Sequence, residues 1–551
     1  MKKILLVFLV IITTFMAITG CQKKESNVQT GPVDYGATTD GPNYWWVKFE
    51  EPVTIHIVNT ERPATAFLPG DDVTRNEWTR AFKEQLNVEI VTDWVSAAGG
   101  YYEKLNLAIA SGTLPDVMLV NPAQYRQLVE AGLMADLTDY MENNASDMVK
   151  NIMAAAPTVT ETAKVNGRLM GLPRYGYGDA GNIFILWIRH DWMEKSGLGA
   201  PQSFDDMEKI MDFFMETYPG SYGIGVNKSL DELFRLASAF GALPKIWIEG
   251  PGGDLVYGSV QPEMKAAVEK FADWYKRGYL KRDFTSMEDR DVINDMAAGK
   301  LGMSVFYNWA GWMYVDAVKA NGINAYMEPY EIPSGNGKPH IVPLPIDNEH
   351  YIFVNKNCKN IPAVIKCLSY HAWVCMEAAM QGALTQEQVD RYLLGGEGRH
   401  DLAMLGLNDP YGNGPALIEW SRNVGLNNYQ ITEEPMTSEW IAQYEQAAPW
   451  WRENSVDGYG RWIQMYANPS SYWINLQTYR DGRYYMNRMI GSLPEDVAVY
   501  GSTLDDLLVE GFMKIIVGEQ PLSYFETVIA EWHSSGGNIV TRAVNREYGK
   551  K

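Results

Sequence analysis

Val53-Thr-Ile-His-Ile-Val58, Val88-Glu-Ile-Val-Thr-Asp93 and Val117-Met-Leu-Val120 are three short β-branched runs. A helical pattern at Arg75–Leu86 separates the first two, and another at Tyr101–Ala110 separates the second and third. In the latter, Leu105, Ala108 and Ile109 share one face and Ser111-Gly112 ends the helix. Gln124–Ala131 is the next helix. Strand, helix, strand, helix and strand in close succession predict an α/β fold with a mostly parallel sheet. Ligands bind beyond the carboxyl ends of such strands. Asn59–Arg62, Asp93–Trp94 and Asn121–Gln124 are therefore the expected rim positions.

Further along, Ile183–Ile188, Leu301–Phe306 and Tyr351–Val354 read as buried strands. Helical patterns cover Phe204–Tyr218, Leu230–Phe240, Glu263–Arg277 and Arg290–Ala298. Near the end, Thr503 with Asp506 resembles a capping box opening a helix that Gly518 closes. Leu522, Phe525, Ile529 and Trp532 line the following helix as far as Gly536-Gly537.

At 551 residues the chain exceeds one ordinary domain. Its 46% hydrophobic and 21% charged residues, with a mean hydropathy of −0.24, exclude a largely disordered chain and a multi-pass membrane protein. The 68 acidic residues outnumber the 47 basic ones, for a net charge of −21. Phosphate backbones would repel such a chain, and no Lys/Arg-rich run offsets this, so nucleic acid is not an expected partner. The same charge fits a neutral ligand.

The N-terminus suggests where the protein works. Lys2 and Lys3 precede an apolar stretch, Ile4–Met16, too short to span a bilayer comfortably but suited to a secretory leader. Ile18-Thr-Gly-Cys21 resembles a bacterial lipobox, which implies diacylation of Cys21 as the new N-terminus after removal of residues 1–20. The alternative is an ordinary leader with an incidental cysteine. Two lysines and no acids lie in residues 1–20, so the chain from Cys21 carries −23. Several acyl chains on one residue anchor a protein stably to the outer face of the cell membrane. Residues 21–49, polar and aperiodic as far as Pro42, read as a flexible tether.

Cys358, Cys367 and Cys375 have spacings of nine and eight, unlike a zinc CxxC. Cys367 and Cys375 are expected on one helix, Pro362–Gly382, as buried thiols. The seven histidines form no HxxxH or HExxH, and no G-x-S-x-G elbow or calcium loop is present. No metal, cofactor or catalytic residue is implied. Nothing singles out a carboxylate pair of the kind glycoside hydrolysis needs.

Several segments together resemble the family 1 extracellular solute-binding proteins, the maltose-binding-like receptors of carbohydrate ABC transporters. They are Leu107-Ala-Ile-Ala-Ser-Gly-Thr-Leu-Pro-Asp-Val117, Leu128-Val-Glu-Ala-Gly-Leu-Met-Ala-Asp-Leu137, Asn166-Gly-Arg-Leu-Met-Gly-Leu-Pro173, Trp187-Ile-Arg-His-Asp-Trp192, Ala298-Gly-Lys-Leu-Gly-Met303, and the end from Val517-Gly-Glu to Ala543-Val-Asn545. The resemblance runs from about residue 50 to 550. It implies a periplasmic-binding-protein-like type II architecture: two α/β lobes joined by a multi-strand hinge, with a ligand cleft between them. By this resemblance lobe 1 comprises 50–172 plus about 350–400, and lobe 2 comprises 173–349 plus about 401–551. The first crossing would lie near Pro173–Phe184, the second near Ile346–Val354, and a third after Ala383. The resemblance further implies a monomeric, non-enzymatic receptor that closes on an oligosaccharide and delivers it to ABC permease subunits. The alternatives are an extracellular glycoside-active enzyme, or a binder of peptides or another solute that feeds a sensor.

Sugars offer flat C–H faces edged by hydroxyls, so a site needs aromatic rings and planar polar groups in a concave cleft. The segment after Leu301–Phe306 supplies Tyr307, Asn308, Trp309 and Trp312. In the resembled family this place commonly carries a stacking tryptophan, and Trp309 matches it. The rival reading makes Trp309 and Trp312 one packed helical face. Tyr175 and Tyr177 lie in the Gly-rich crossing, Asn121 and Trp94 lie at strand ends, and Arg399 follows Glu397 in a Gly-rich loop. Six tryptophans crowd residues 420–473. The adjacent Trp450 and Trp451 cannot both face one helix core, so either one lines the cleft or both wrap the outside.

Overall fold

The computed structural model describes residues 44–62, 67–174, 183–346, 350–378, 383–385, 387–388, 392, 403–407, 415–433, 438–491 and 493–549. Cys21, Tyr175, Tyr177, Glu397 and Arg399 lie outside these described residues.

The three opening runs form strands Val53–Thr60, Val88–Ser96 and Val117–Val120. They belong to a five-stranded sheet in the order 88–96, 53–60, 117–120, 351–354, 172–173. Both pairings of Val53–Thr60 are parallel. The expectation of a mostly parallel sheet holds only for this half, because Tyr351–Val354 pairs antiparallel with Val117–Val120 and with Leu172–Pro173. Those two strands flank the crossings, so their direction follows from where the chain leaves and returns, not from a βαβ unit. Helix Ile361–Trp373 packs behind the sheet and is buried nearly all round, including Cys367. Cys358 and Cys367 are free thiols, and Cys375 lies 3.7 Å from His371 Nε2.

A second sheet is antiparallel throughout. Strand Phe184–Arg189 runs between Met303–Tyr307 and Met327–Tyr330, with Tyr307 opposite Phe184. Helices Phe204–Thr217, Met264–Arg277 and Asp289–Ala297 pack on it through Met207, Phe214, Phe271, Trp274 and Met296. Segments 415–426 and 438–480 and the three C-terminal helices join the same core.

Apolar burial is therefore divided. One core draws on residues 45–172 and 351–407, the other on residues 185–332 and 417–544. Burying two separate apolar sets gives two units able to move against each other. A third, small cluster of Ile183, Val342 and Leu344, with Tyr484 and Met486 against it, sits at the chain passage. There Val342–Leu344 pairs in parallel with Tyr484–Met486, and Arg174 N–H donates to His350 C=O at 2.9 Å. Arg126, on helix Pro122–Glu130 of the first unit, reaches the second: its Nη1 donates to Leu493 C=O at 2.8 Å and lies 3.2 Å from Glu547.

One predicted boundary is corrected. The helix expected to open at Thr503 begins at Glu495, after Pro494, with Glu495 and Asp496 in its first turn. Carboxylates there complement the helix dipole, and Thr503 becomes an interior position. The next helix ends at Trp532, and Gly536 (φ 135°) kinks the chain into Asn538–Tyr548.

Candidate functional site

On the first lobe, Trp94 stands near the carboxyl end of strand Val88–Ser96, partly exposed. Gly99 and Gly100 turn the chain into helix Tyr101–Ser111, which sets two tyrosines beside it. The Trp94 and Tyr101 rings are 5.8 Å apart, and Tyr101 and Tyr102 are 5.3 Å apart. The Tyr101 hydroxyl donates to Leu119 C=O at 3.1 Å, and burial raises its pKa. Tyr102 stacks on His350 with rings 6.1 Å apart and an 11° interplanar angle, and its hydroxyl hydrogen-bonds His350 Nε2. Lys104, one helical turn from Tyr101, sits over the Trp94 ring at 4.4 Å. An aromatic row thus runs from a strand end to the second crossing.

Asn121 occupies the expected strand end but has a local partner. Its side-chain oxygen accepts from Gln124 N–H at 2.9 Å, and Gln124 Oε1 accepts from Asn121 N–H, a reciprocal N-terminal cap. One end of the Asn121 carboxamide is thereby occupied. Gln124 itself is buried and donates to Asn106 Oδ1 at 2.7 Å.

On the second lobe, the Phe184–Tyr307 register brings their rings to 4.0 Å. Trp309 stacks on Tyr307 at 5.0 Å and 14°, and meets Phe306 edge-on at 5.9 Å. Arg235, on helix Asp231–Ala237, lays its guanidinium on Phe184 and 5.0 Å from the Tyr307 ring centre. Asn308, between Tyr307 and Trp309 in sequence, is buried, and its side-chain oxygen has no partner among the described residues.

Trp312 is 43% exposed. Its indole N–H donates to Gln464 Oε1 at 2.9 Å, and Gln464 Nε2 in turn donates to Trp309 C=O at 3.0 Å. Two glycines permit this approach. A Cβ on Gly460 would come 2.5 Å from Trp312 Cε3, and one on Gly311 would come 2.4 Å from Ile463 Cγ2. Trp309 and Trp312 are therefore not one buried helical face: Trp309 joins the ring stack and Trp312 lies flat on Gly460.

Trp450 stacks on Trp462 at 4.5 Å and packs near Tyr326 and Tyr459, whereas Trp451 stacks on Tyr429 at 4.3 Å and packs near Tyr444 and Tyr466. Each faces a different partner set, as adjacent helical positions must. Among the described residues neither makes a ring contact with Phe184, Tyr307 or Trp309. A separate cavity of about 530 Å³, bordered by Tyr330, Pro333, Trp473 and Arg483, shares none of the ring-face residues. Among the described residues no group of three or more His, Cys, Asp or Glu side chains converges on a metal position.

Sequence reading did not single out Tyr101, Tyr102, Lys104, Phe184, Arg235 or His350. The Gly-Gly-Tyr-Tyr run after a strand was a usable signal for the first two. The Phe184–Tyr307 pairing and the reach of Arg235 are products of register and packing.

Two α/β lobes with partly exposed rings flanking the chain crossings define a two-lobed binding protein. The chain belongs to the bacterial extracellular solute-binding proteins, whose family model matches residues 70–372. It is 21% identical over 497 residues to Lipoprotein LipO of Bacillus subtilis, covering 85% of this chain and 88% of that protein. It is 23% identical over 239 residues to the polygalacturonan/rhamnogalacturonan-binding protein YtcQ of the same organism, covering 41% and 46%. The solved structure of the Streptococcus pneumoniae ABC-transporter substrate-binding protein FusA in complex with kestose shares the fold, with a TM-score of 0.57 and 16% identity over 90% of this chain and 98% of that one.

Proposed function

We propose that the protein is the substrate-binding component of an ABC transporter and that it captures an oligosaccharide at the outer face of the cell membrane. One observation carries the reading: the Phe184–Tyr307–Trp309 group starts where the first crossing enters lobe 2, and the Trp94–Tyr101–Tyr102–His350 row on lobe 1 ends in the second crossing, where His350 C=O accepts from Arg174 N–H of the first. Rings so placed suit the C–H faces of successive sugars, and the neighbouring amides and hydroxyls suit their edges. YtcQ and FusA, named for a glycan and solved with one, support the same ligand class.

Ligand bound to one lobe gains the contacts of the other only when the lobes close, so it favours the closed form by that difference. Lobe 1 is taken as 50–172 plus about 350–400 and lobe 2 as 173–349 plus about 401–551, a division supported by the two separate apolar cores. Trp309, Trp312 and Trp94 are the stacking candidates, Asn121 is a polar one, and Tyr175, Tyr177 and Arg399 remain candidates by their place in the sequence. Trp450 and Trp451 are assigned to packing of the outer layer. Cys21 carries the lipid anchor, permease subunits receive the closed monomer, and the bound sugar is released unchanged.

Calorimetry against oligosaccharides and peptides tests this. Binding of one glycan series without turnover on long incubation is the expected outcome. Binding of peptides alone, or cleavage of the glycan, would overturn it.

A further inference from the structure

The overall charge of −21 suits a neutral ligand, but the charge beside the rings has the opposite sign. Lys104 Nζ lies over Trp94, and its one hydrogen bond among the described residues is a long 3.5 Å contact to Val95 C=O. Arg461 lies 5.4 Å from the Trp312 ring centre and, among the described residues, bonds to Gln446 and Gln464. Neither cation has a carboxylate partner among the described residues. Arg174 stands at the first crossing, close enough to act electrostatically on the Tyr101 hydroxyl.

Arg235 is the most telling of these cations. Its side chain is mostly buried against Phe184 and Tyr307. The nearest carboxylate, Asp231, is 3.8 Å away and is committed at 2.7 Å to Lys245. Glu232 is next along the helix, but burial pushes its carboxyl up to about 7, so it compensates little at or below neutral pH. Burial also lowers the pKa of Arg235, because desolvation outweighs the help it receives from Asp231. A desolvated cation whose one ion pair is a long contact to a carboxylate shared with Lys245 is only partly compensated. An anion arriving at the ring face would supply a closer partner through charge-assisted hydrogen bonds.

We infer that the oligosaccharide is acidic, its sugar rings bearing carboxylate groups, with Arg235 on lobe 2 and Lys104 on lobe 1 recognising the charge beside the rings that stack the sugar. This inference rests on the carbohydrate reading above. Local geometry, not the total charge, sets the potential at a site.

The test uses matched pairs in calorimetry: oligogalacturonate, oligomannuronate and oligoglucuronate, each beside its carboxyl-reduced neutral counterpart. The expected result is that the acid of at least one pair binds at least tenfold more tightly than its neutral form, with an advantage that shrinks between 20 and 500 mM salt. Arg235→Gln and Lys104→Gln should each reduce that acid-over-neutral preference about tenfold. Arg235→Gln should do so without lowering the melting temperature, since it removes a desolvated charge. Neutral glycans binding as well as or better than their acids would overturn the acidic ligand while leaving the carbohydrate reading intact. Binding of no glycan, acid or neutral, would overturn both.

Discussion

Glu232→Gln separates the cost of a buried charge from every other contribution of its position. Glu232 is buried at the start of helix Asp231–Ala237, where its Oε2 accepts from Asn227 N–H at 3.3 Å. Burial raises its pKa from 4.5 to about 7. Below about pH 4.5 the side chain is protonated in both folded and unfolded chains and exerts no pH-dependent effect. As pH rises from 4.5 to 7 the unfolded chain ionises while the folded one keeps its proton, so stability declines across that window and stays lower above it. At 1.36 kcal/mol per pH unit the loss is about 3 kcal/mol by pH 8. Glutamine keeps the oxygen that Asn227 needs and never ionises. The variant should therefore match the parent at pH 4 and exceed it by about 3 kcal/mol at pH 8, or about 6 °C at roughly 2 °C per kcal/mol for a lobe of this size. Thermal unfolding followed by tryptophan fluorescence at pH 4, 6 and 8 measures it. A gap that is the same at every pH, or a variant less stable at pH 8, would refute the reasoning.

Other outcomes follow from the site. Trp309→Ala should weaken glycan binding by about 1–3 kcal/mol through loss of one stacking face; unchanged affinity with a lower melting temperature would mark Trp309 as packing alone. Gly460→Val should displace the Trp312 indole and its bond to Gln464, costing about 1–3 kcal/mol of stability and shifting the near-ultraviolet circular dichroism. Cys21→Ser should move the protein from the membrane fraction to the soluble one on fractionation, and continued sedimentation with membranes would contradict the anchor.

The fold class was largely legible because burial leaves a periodic trace. Val53–Thr60 and Val117–Val120 are apolar where the sheet buries them, and Met264–Arg277 repeats its apolar positions at helical spacing. The antiparallel half of the first sheet was not legible, since pairing Tyr351 with Val120 joins residues more than two hundred positions apart. Nor was the helix start at Glu495, where Pro494 and two acids outweighed a later Thr-x-x-Asp pattern.

The candidate site divides in the same way. Sequence proposed Trp94 and Trp309 because each follows a strand and aromatic rings suit sugars, and both stand among partly exposed rings. Asn121 offers a polar tip at a strand end, yet the cap formed with Gln124, three residues on, uses its oxygen. Trp450 and Trp451 are ambiguous because one sequence pattern serves a cleft and an outer layer equally well; the structure adds that each stacks on a different ring, Trp462 and Tyr429.

By itself, the sequence determined the α/β fold class and the side-chain chemistry available, because apolar periodicity and residue type act locally along the chain; the receptor class rested on resemblance to a family. Tertiary structure alone decided which rings meet, with Phe184 on Tyr307 and Tyr102 on His350, and that Arg235 is buried against the first pair with only a long ion pair to Asp231. The physical reason is that stacking and desolvation depend on distances in space, which register and packing set between residues far apart in the chain.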